Sequence, residues 1–414
     1  MIMSASGFPS LALGCFLLAV AVAPHVVHGL SRGLTPGGGA VAPSASAAGL
    51  CASGITIHGY QCQEFDVVTK DGYILSVQRI PEGRAGGGST NKQPVFIQHG
   101  VLADGSAWLV NLPEQNLPLI LADNGFDVWI ANGRGTQFSR RHTSLSPANP
   151  EFWDWSWDEL AAFDLPAVFD LIHGKTGKKV HYVGHSLGTT IALASLSEGK
   201  LVDKLQSVAL LSPVAYLTHI TTALGIVAAR SFLGEVGSLI GLAEFNPVSK
   251  PVTDFLEALC ARPGLDCYDF LTAFTGPNCC LNVSTADLFL TNYPQSTSMK
   301  NLVHLSQTVR DGGLTKYNYE IPSTNMMHYG DASPPVYNLS NIPHDVPMFL
   351  SYGGLDSLAD PKDVQLLLDS LKLHDVEKLT VQFVKDYAHM DFLMGVNAKD
   401  IVYTQVLSFF KNQH

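Results

Sequence analysis

The residues best suited to chemistry lie in Val180-His181-Tyr182-Val183-Gly184-His185-Ser186-Leu187-Gly188. An apolar, β-branched run leads into Gly-x-Ser-x-Gly, and helix formers from Thr189 to Glu198 follow. The pattern predicts a strand, a tight turn and a helix, with Ser186 in the turn at positive φ. Side chains at 184 and 188 would collide with the neighbouring strand and helix, so glycine suits both. Such a turn pushes the Ser186 hydroxyl into the open. The N–H groups of the following helix then face incoming negative charge. The chemistry this suits is attack on an acyl carbonyl.

A serine hydroxyl is a poor nucleophile until a base takes its proton, and imidazole suits that role near neutral pH. The imidazole needs a carboxylate to fix its tautomer and stabilise the cation. In the α/β-hydrolases, which this strand–turn–helix with its Gly-x-Ser-x-Gly resembles, the chain order is serine, acid, histidine. Val346 to Tyr352 reads as a strand and is followed by Gly353-Gly354-Leu355-Asp356, so Asp356 is the expected acid. Asp360 is the rival, but Ala359-Asp360-Pro361 reads as a helix start with Asp360 as cap. Leu379 to Val384 reads as the last strand, and of 15 histidines only His389 follows it in the required position. His99 and His185 flank two turns and are expected to orient backbone. The expected oxyanion donors are the N–H groups of Leu187 and Val101, with Leu102 as the alternative to Val101.

The elements that must position these groups are readable from periodicity. Glu64 to Thr69 and Tyr73 to Ile80 form a hairpin around Lys70-Asp71-Gly72. Pro94 to Gln98, Asp127 to Asn132, Val180 to Val183 and Ser207 to Ser212 are further strands. Ser156-Trp157-Asp158-Glu159 fits a capping box, opening a helix to about Ile172 with Gly174 beyond its end. Trp153, Trp155 and Trp157 read as core. Strand and helix alternate from residue 94, which implies an α/β fold with a mostly parallel sheet flanked by helices. From about Val214 to Ile342 the alternation breaks, and this segment reads as an inserted, mostly helical cap. Within it Thr222 to Leu242 is apolar and helix-like. Ile226, Val227, Phe232, Leu233, Leu239, Ile240 and Leu242 face either a hydrophobic substrate or the main domain. The expected layout is 1–29 signal peptide, 30–50 disordered leader, 51–213 and 343–414 core, and 214–342 cap or lid.

The chain has 414 residues, 46% of them apolar, enough for one large domain with an insertion or for two domains. Its formal net charge is −11 with only 25 Lys plus Arg, and no basic stripe appears, which argues against a nucleic-acid partner. Leu11 to Val22 is apolar and ends at Pro24, as in a secretory signal, although Met1 to Ser10 holds no Lys or Arg. The rival is an uncleaved anchor, but the run is shorter than the ~20 residues a span needs. No stable transmembrane anchor is expected once the signal is removed. Cys15 lies in that signal. Cys51, Cys62, Cys260, Cys267, Cys279 and Cys280 remain and suggest disulfides of open connectivity. Adjacent Cys279 and Cys280 are not expected to join each other. No Cys-x-x-Cys spacing marks a metal site, and no cofactor or metal is expected. Asn282-Val-Ser284 and Asn338-Leu-Ser340 are glycosylation sequons.

Further stretches carry a family resemblance. They are Gly59-Tyr60-Gln61-Cys62-Gln63-Glu64, Lys70-Asp71-Gly72-Tyr73-Ile74-Leu75, Gln98-His99-Gly100, Asp127 through Gly135, Phe152-Trp153 and Asp164-Leu165-Pro166-Ala167. Gly184 through Gly188, Asn325-Met326-Met327-His328-Tyr329, Gly353 through Asp360 and His389-Met390-Asp391-Phe392 complete the set. From about residue 50 to the C-terminus the chain resembles the acid lipases, the group of gastric and lysosomal acid lipase, and above all their plant triacylglycerol-lipase relatives. The resemblance implies an α/β-hydrolase fold with a helical cap and mobile lid. It implies hydrolysis of triacylglycerols or steryl esters at a lipid–water interface, glycosylation, and a secreted or lysosomal/vacuolar location. It assigns the catalytic triad to Ser186, Asp356 and His389 and the oxyanion hole to Val101 and Leu187. Leu187 departs from the Gln that animal members often carry, and residues from about 217 to 300 match poorly. The alternatives are a steryl-ester or soluble-ester hydrolase, and a non-catalytic lipid- or hormone-binding α/β-hydrolase. The last type typically lacks a triad member, and this chain keeps all three.

Overall fold

The structure, a computed structural model, describes residues 49–86, 91–230, 232–239, 241–247 and 270–413. The expected signal peptide, most of the leader, Cys260, Cys267 and Ile240 lie outside the described residues. Strands β1 (Gln63–Val68) and β2 (Tyr73–Ile80) form the expected hairpin, with Val68 opposite Ile74. β3 (Pro94–Gln98), β4 (Asp127–Ala131), β5 (Arg141–His142), β6 (Val180–His185) and β7 (Leu205–Leu211) follow. β8 (Glu244–Phe245) and β9 (Thr297–Ser298) pair with each other, away from the main sheet. β10 (Met348–Gly353) and β11 (Leu379–Val384) return to it.

The main sheet runs β1-β2-β4-β3-β6-β7-β10-β11, with β5 beside β2. β4 through β11 along that path are parallel, and only the β1 and β2 edge is antiparallel. The central strands are buried on both faces, as parallel strands covered by helices must be. Alternation divides their side chains. Val95, Ile97, Val128 and Ile130 pack with Leu117 and Phe410 on one face. Phe96, Trp129, Tyr182 and Val208 pack with Val168, Phe169 and Ile191 on the other. Trp153, Trp155 and Trp157 belong to that second core, as expected.

Four expectations need correction. First, the capping box forms, with Ser156 N–H donating to Glu159 Oε2 at 2.7 Å. The helix it opens widens at Leu160–Asp164 and continues as Leu165–Thr176, past Gly174. Gly177, at φ 67°, ends it in place of Gly174. Second, Leu50 is no part of a loose leader. It is 1% exposed and packs in the core, and Glu64 Oε1 accepts the Cys51 N–H next to it. Third, Cys279 and Cys280 are joined to each other, and Cys51 is joined to Cys62. The buried Asp391 carboxylate accepts the N–H of both Cys279 and Cys280, at 3.1 and 3.0 Å, and turns the adjacent pair around itself.

The fourth concerns the segment between β7 and β10, which adds helices but no strand to the main sheet. Thr222 to Leu242 is not one helix. It breaks into Ala223–Arg230 and Leu233–Leu239, with Phe232 at φ 52° between them. Ile226 packs against Val214, Leu217 and Ala359, and Leu242 against Phe245 and Met299. Phe232 and Leu239 are exposed, Leu239 by 86%. None of these four lines the cavity beside Ser186. Among the described residues no helix is long and apolar enough to cross a membrane.

Candidate active site

β6 delivers Ser186 to the carboxyl edge of the sheet, where the chain turns at φ 55°, ψ −122° into the helix Leu187–Ser197. The glycines on either side are sterically required. A Cβ on Gly184 would lie 2.8 Å from the Gly188 carbonyl, and one on Gly188 would lie 2.9 Å from the Gln98 carbonyl oxygen. The strained serine is held by its neighbours. Its N–H donates to the Leu211 carbonyl at 3.2 Å, and its own carbonyl accepts from the Thr189 hydroxyl at 2.6 Å. Leu187 is the first residue of the helix, so its N–H has no intrahelical acceptor.

β3 lies beside β6 with Gln98 opposite Gly184, so the turn after β3 abuts the serine. A Cβ on Gly100 would sit 2.8 Å from the Ser186 Cβ. Gly100, Val101 and Leu102 therefore line the same cavity as Ser186. Leu102 adopts φ 58°, uncommon for a side chain of its kind.

β10 and β11 bring the other two groups to this edge. Asp356 follows β10, and His389 follows β11. Gly353, which ends β10, and Gly354 permit the loops to meet, because a Cβ on Gly353 would lie 2.1 Å from the Tyr387 carbonyl oxygen. His389 Nδ1 stands 2.9 Å from Asp356 Oδ2 and 3.0 Å from Oδ1. Asp356 Oδ1 also accepts the N–H groups of Leu358 and Ala359, at 2.9 and 2.8 Å. Burial alone would raise its pKa. The His389 charge and hydrogen bond, with the two backbone N–H groups, outweigh burial and hold it below the usual carboxylate range. Asp360 caps the next helix through the Lys362 N–H, as expected, and takes no part here.

His389 Nε2 is buried without a hydrogen-bond partner. It and Ser186 line one partly open cavity, whose wall is mostly apolar. The Ser186–His389 hydrogen bond itself is not closed in this structure. His99 and His185 serve as backbone props. His99 Nε2 accepts the Gly133 N–H at 2.8 Å, so its Nδ1 donates to the Gly100 carbonyl, also at 2.8 Å. His185 Nε2 pairs with the His389 carbonyl at 3.0 Å. Burial and the nearby His389 push the His185 pKa down to about 3, so its neutral ring donates there.

Sequence reasoning missed two supports. The Thr275 carbonyl accepts both the His389 N–H, at 3.1 Å, and the Ser357 N–H, at 3.4 Å, clasping the loops of Asp356 and His389 together. Nothing local to Thr275 signals this. Asp391 accepts the Ala388 N–H at 2.8 Å as well as those of Cys279 and Cys280. Its place two residues after His389 was the available clue. Cys279, Cys280 and Asp391 also form a cluster of metal-ligating types. The two sulfurs are bonded to each other, and a thiolate is what binds metal. The arrangement as a whole can activate a hydroxyl for acyl transfer next to an apolar chain.

Comparison with known proteins bears on the family and the fold. Residues 93–396 match the family model described as alpha/beta hydrolase fold, and residues 51–112 match that of a partial alpha/beta-hydrolase lipase region. The chain is 62% identical over 371 residues to triacylglycerol lipase 2 of Arabidopsis thaliana, covering 89% of each chain. It is 40% identical over 362 residues to the gastric triacylglycerol lipase of Rattus norvegicus, covering 86% of this chain and 89% of that one. Among solved structures, a soluble variant of monoglyceride lipase from Saccharomyces cerevisiae shares the fold, with a TM-score of 0.57 at 14% identity. That match covers 86% of this chain and 95% of the other. The chain therefore belongs to the α/β-hydrolase fold family and, within it, to the lipases.

Proposed function

We propose that this lipase cleaves acyl esters of neutral lipids, of the triacylglycerol kind, through an acyl-enzyme on Ser186. The observation that carries the reading is one cavity shared by three features. It holds Ser186, the unpartnered Nε2 of an Asp356-oriented His389, and an apolar wall that includes Leu271, Phe274, Phe289, Leu290, Leu358 and Leu393. Two relatives carry the name triacylglycerol lipase over most of their length.

In the reaction His389 Nε2 takes the Ser186 proton as Oγ attacks the acyl carbonyl. The N–H groups of Leu187 and Val101 receive the oxyanion; one such donor is worth roughly 3–4 kcal/mol in the transition state. Asp356 stabilises the imidazolium, which then protonates the leaving alcohol. Water attacks the acyl-enzyme with His389 again as base and frees the fatty acid. The apolar wall holds the acyl chain through both steps.

Residues 214–342 act as the cap on this site, between core segments 51–213 and 343–414. Exposed Leu239, Val283, Leu288 and Leu290 on cap helices offer apolar surface to a lipid–water interface. A secretory route is supported by the apolar run Leu11 to Val22 and by the Cys51–Cys62 disulfide, which needs an oxidising compartment. Asn282 and Asn338 are both exposed, and we assign them as glycan acceptors.

The test compares emulsified long-chain triacylglycerol, a cholesteryl ester and a soluble short-chain ester. Fastest turnover on the emulsion supports the proposal. Turnover confined to the soluble ester would reassign the enzyme as a general esterase.

A further inference from the structure

Tyr293, on the inserted segment, makes contacts that an acyl-pocket wall does not require. Its ring stacks on Phe289, with centroids 4.2 Å apart, and both rings line the cavity. Its hydroxyl donates to Asp104 Oδ1 at 2.8 Å and also meets the Ser106 hydroxyl at 2.5 Å. Asp104 is fully buried. It also accepts from the Ser106 N–H at 3.0 Å, the Ser106 hydroxyl at 2.6 Å and Gln137 Nε2 at 2.8 Å. Two residues past Tyr293, the Gln295 N–H donates to the Leu102 carbonyl at 2.8 Å. Gln295 Oε1 in turn accepts the Gln137 N–H at 3.3 Å.

These contacts converge on the loop that carries the Val101 N–H. Leu102, the next residue, holds φ 58°. A non-glycine residue keeps that conformation only where its surroundings over-determine it. Here the surroundings are the Gln295 bond at Leu102 and the Tyr293 bond at Asp104. Both come from the inserted segment.

We propose that Tyr293 is a positioning residue that, through Asp104, holds the oxyanion loop with the Val101 N–H aimed at the reacting carbonyl. The wall of the acyl pocket and the oxyanion hole are thereby one mechanical unit. The proposal rests on the reading of Ser186 as nucleophile and Val101 as oxyanion donor. It adds a residue whose hydroxyl acts at a distance from the substrate.

The test is Tyr293→Phe, which deletes the hydroxyl and keeps the ring against Phe289. The substrate is a short soluble ester, too short to reach that ring. Wild type and variant are compared for kcat, KM and the rate of covalent labelling by a fluorophosphonate probe. The proposal expects kcat and labelling rate to fall together by about tenfold, part of the roughly 10²–10³ that one oxyanion donor contributes, with KM changed by less than about twofold. Asp104→Ala should produce the same kcat loss, and Asp104→Asn, which retains an acceptor for Tyr293, should recover most of it. Wild-type kcat in a folded Tyr293→Phe overturns the proposal, and so does a change confined to KM. A wild-type protein that neither turns over nor labels overturns the reading of Ser186 itself, and this proposal with it.

Discussion

His389 Nδ1 faces both oxygens of Asp356, at 2.9 and 3.0 Å, while its Nε2 is buried with no partner. One ring nitrogen is committed, and in the proposed mechanism the other receives the proton of Ser186. The carboxylate thus decides the tautomer. Asp356→Asn keeps the shape but offers an N–H where an acceptor is needed. It should lower kcat by about four orders of magnitude, with little change in KM. Steady-state kinetics on a soluble ester checks this, and a loss below about tenfold would remove Asp356 from the role.

Asp391 should matter less, but measurably, without touching substrate. Its carboxylate satisfies the N–H groups of Ala388, Cys279 and Cys280. Asp391→Ala strands the buried Ala388 N–H, at about 1–3 kcal/mol, and unties the less buried Cys279 and Cys280. Thermal melting should show a clear loss of stability, and kcat should fall more than tenfold as the His389 loop relaxes. Unchanged melting and kcat would contradict the clamp.

Arg134 tests the scaffold apart from the chemistry. It is 1% exposed, donates to Asp164 through Nε at 2.8 Å, and reaches Asp71 at 2.6 and 3.0 Å. Arg134→Met leaves buried Asp164 without its cation, which should cost roughly 3–5 kcal/mol. Urea unfolding should show that loss, while kcat of the folded fraction stays near wild type. A variant as stable as wild type would mean the ion cluster contributes nothing.

Asp158 gives the fold a pH slope. Burial drives its pKa up to about 6, against the hydrogen bonds from the Tyr337 hydroxyl and the Tyr317 N–H and the charges of Lys316 and Lys300. The folded pKa is thus above the unfolded value of 3.8. The stability it contributes is complete below that unfolded value and is lost as pH rises through about 6. Asp158→Asn removes this term. Between pH 4.5 and 7.5 the wild type should lose roughly 2–4 °C more in Tm than the variant does. Identical pH dependence of the two melting curves would count against it.

What could be read ahead of the structure was local. Ser186, Asp356 and His389 each follow a strand of unmistakable pattern, and turn chemistry alone separated Asp356 from the helix cap Asp360. β3 and β11 begin and end where periodicity puts them. The unread features depend on partners far along the chain. The Cys279–Cys280 pairing depends on a carboxylate 111 residues away. The Thr275 clasp and the Tyr293–Asp104 tie likewise join the inserted segment to the core. The break at Phe232 and the exposure of Leu239 follow from packing that composition cannot reveal, since apolar residues alone do not say which surface they cover.

The central claim is that the Ser186 hydroxyl is the nucleophile. The most direct measurement is mass spectrometry of the intact protein and its peptides after reaction with a fluorophosphonate. One adduct is expected, on Ser186, formed in step with the loss of hydrolysis of emulsified triacylglycerol, and neither adduct nor hydrolysis in Ser186→Ala. An adduct on another residue that accompanies inactivation, or a folded Ser186→Ala that still hydrolyses the emulsion, would contradict it.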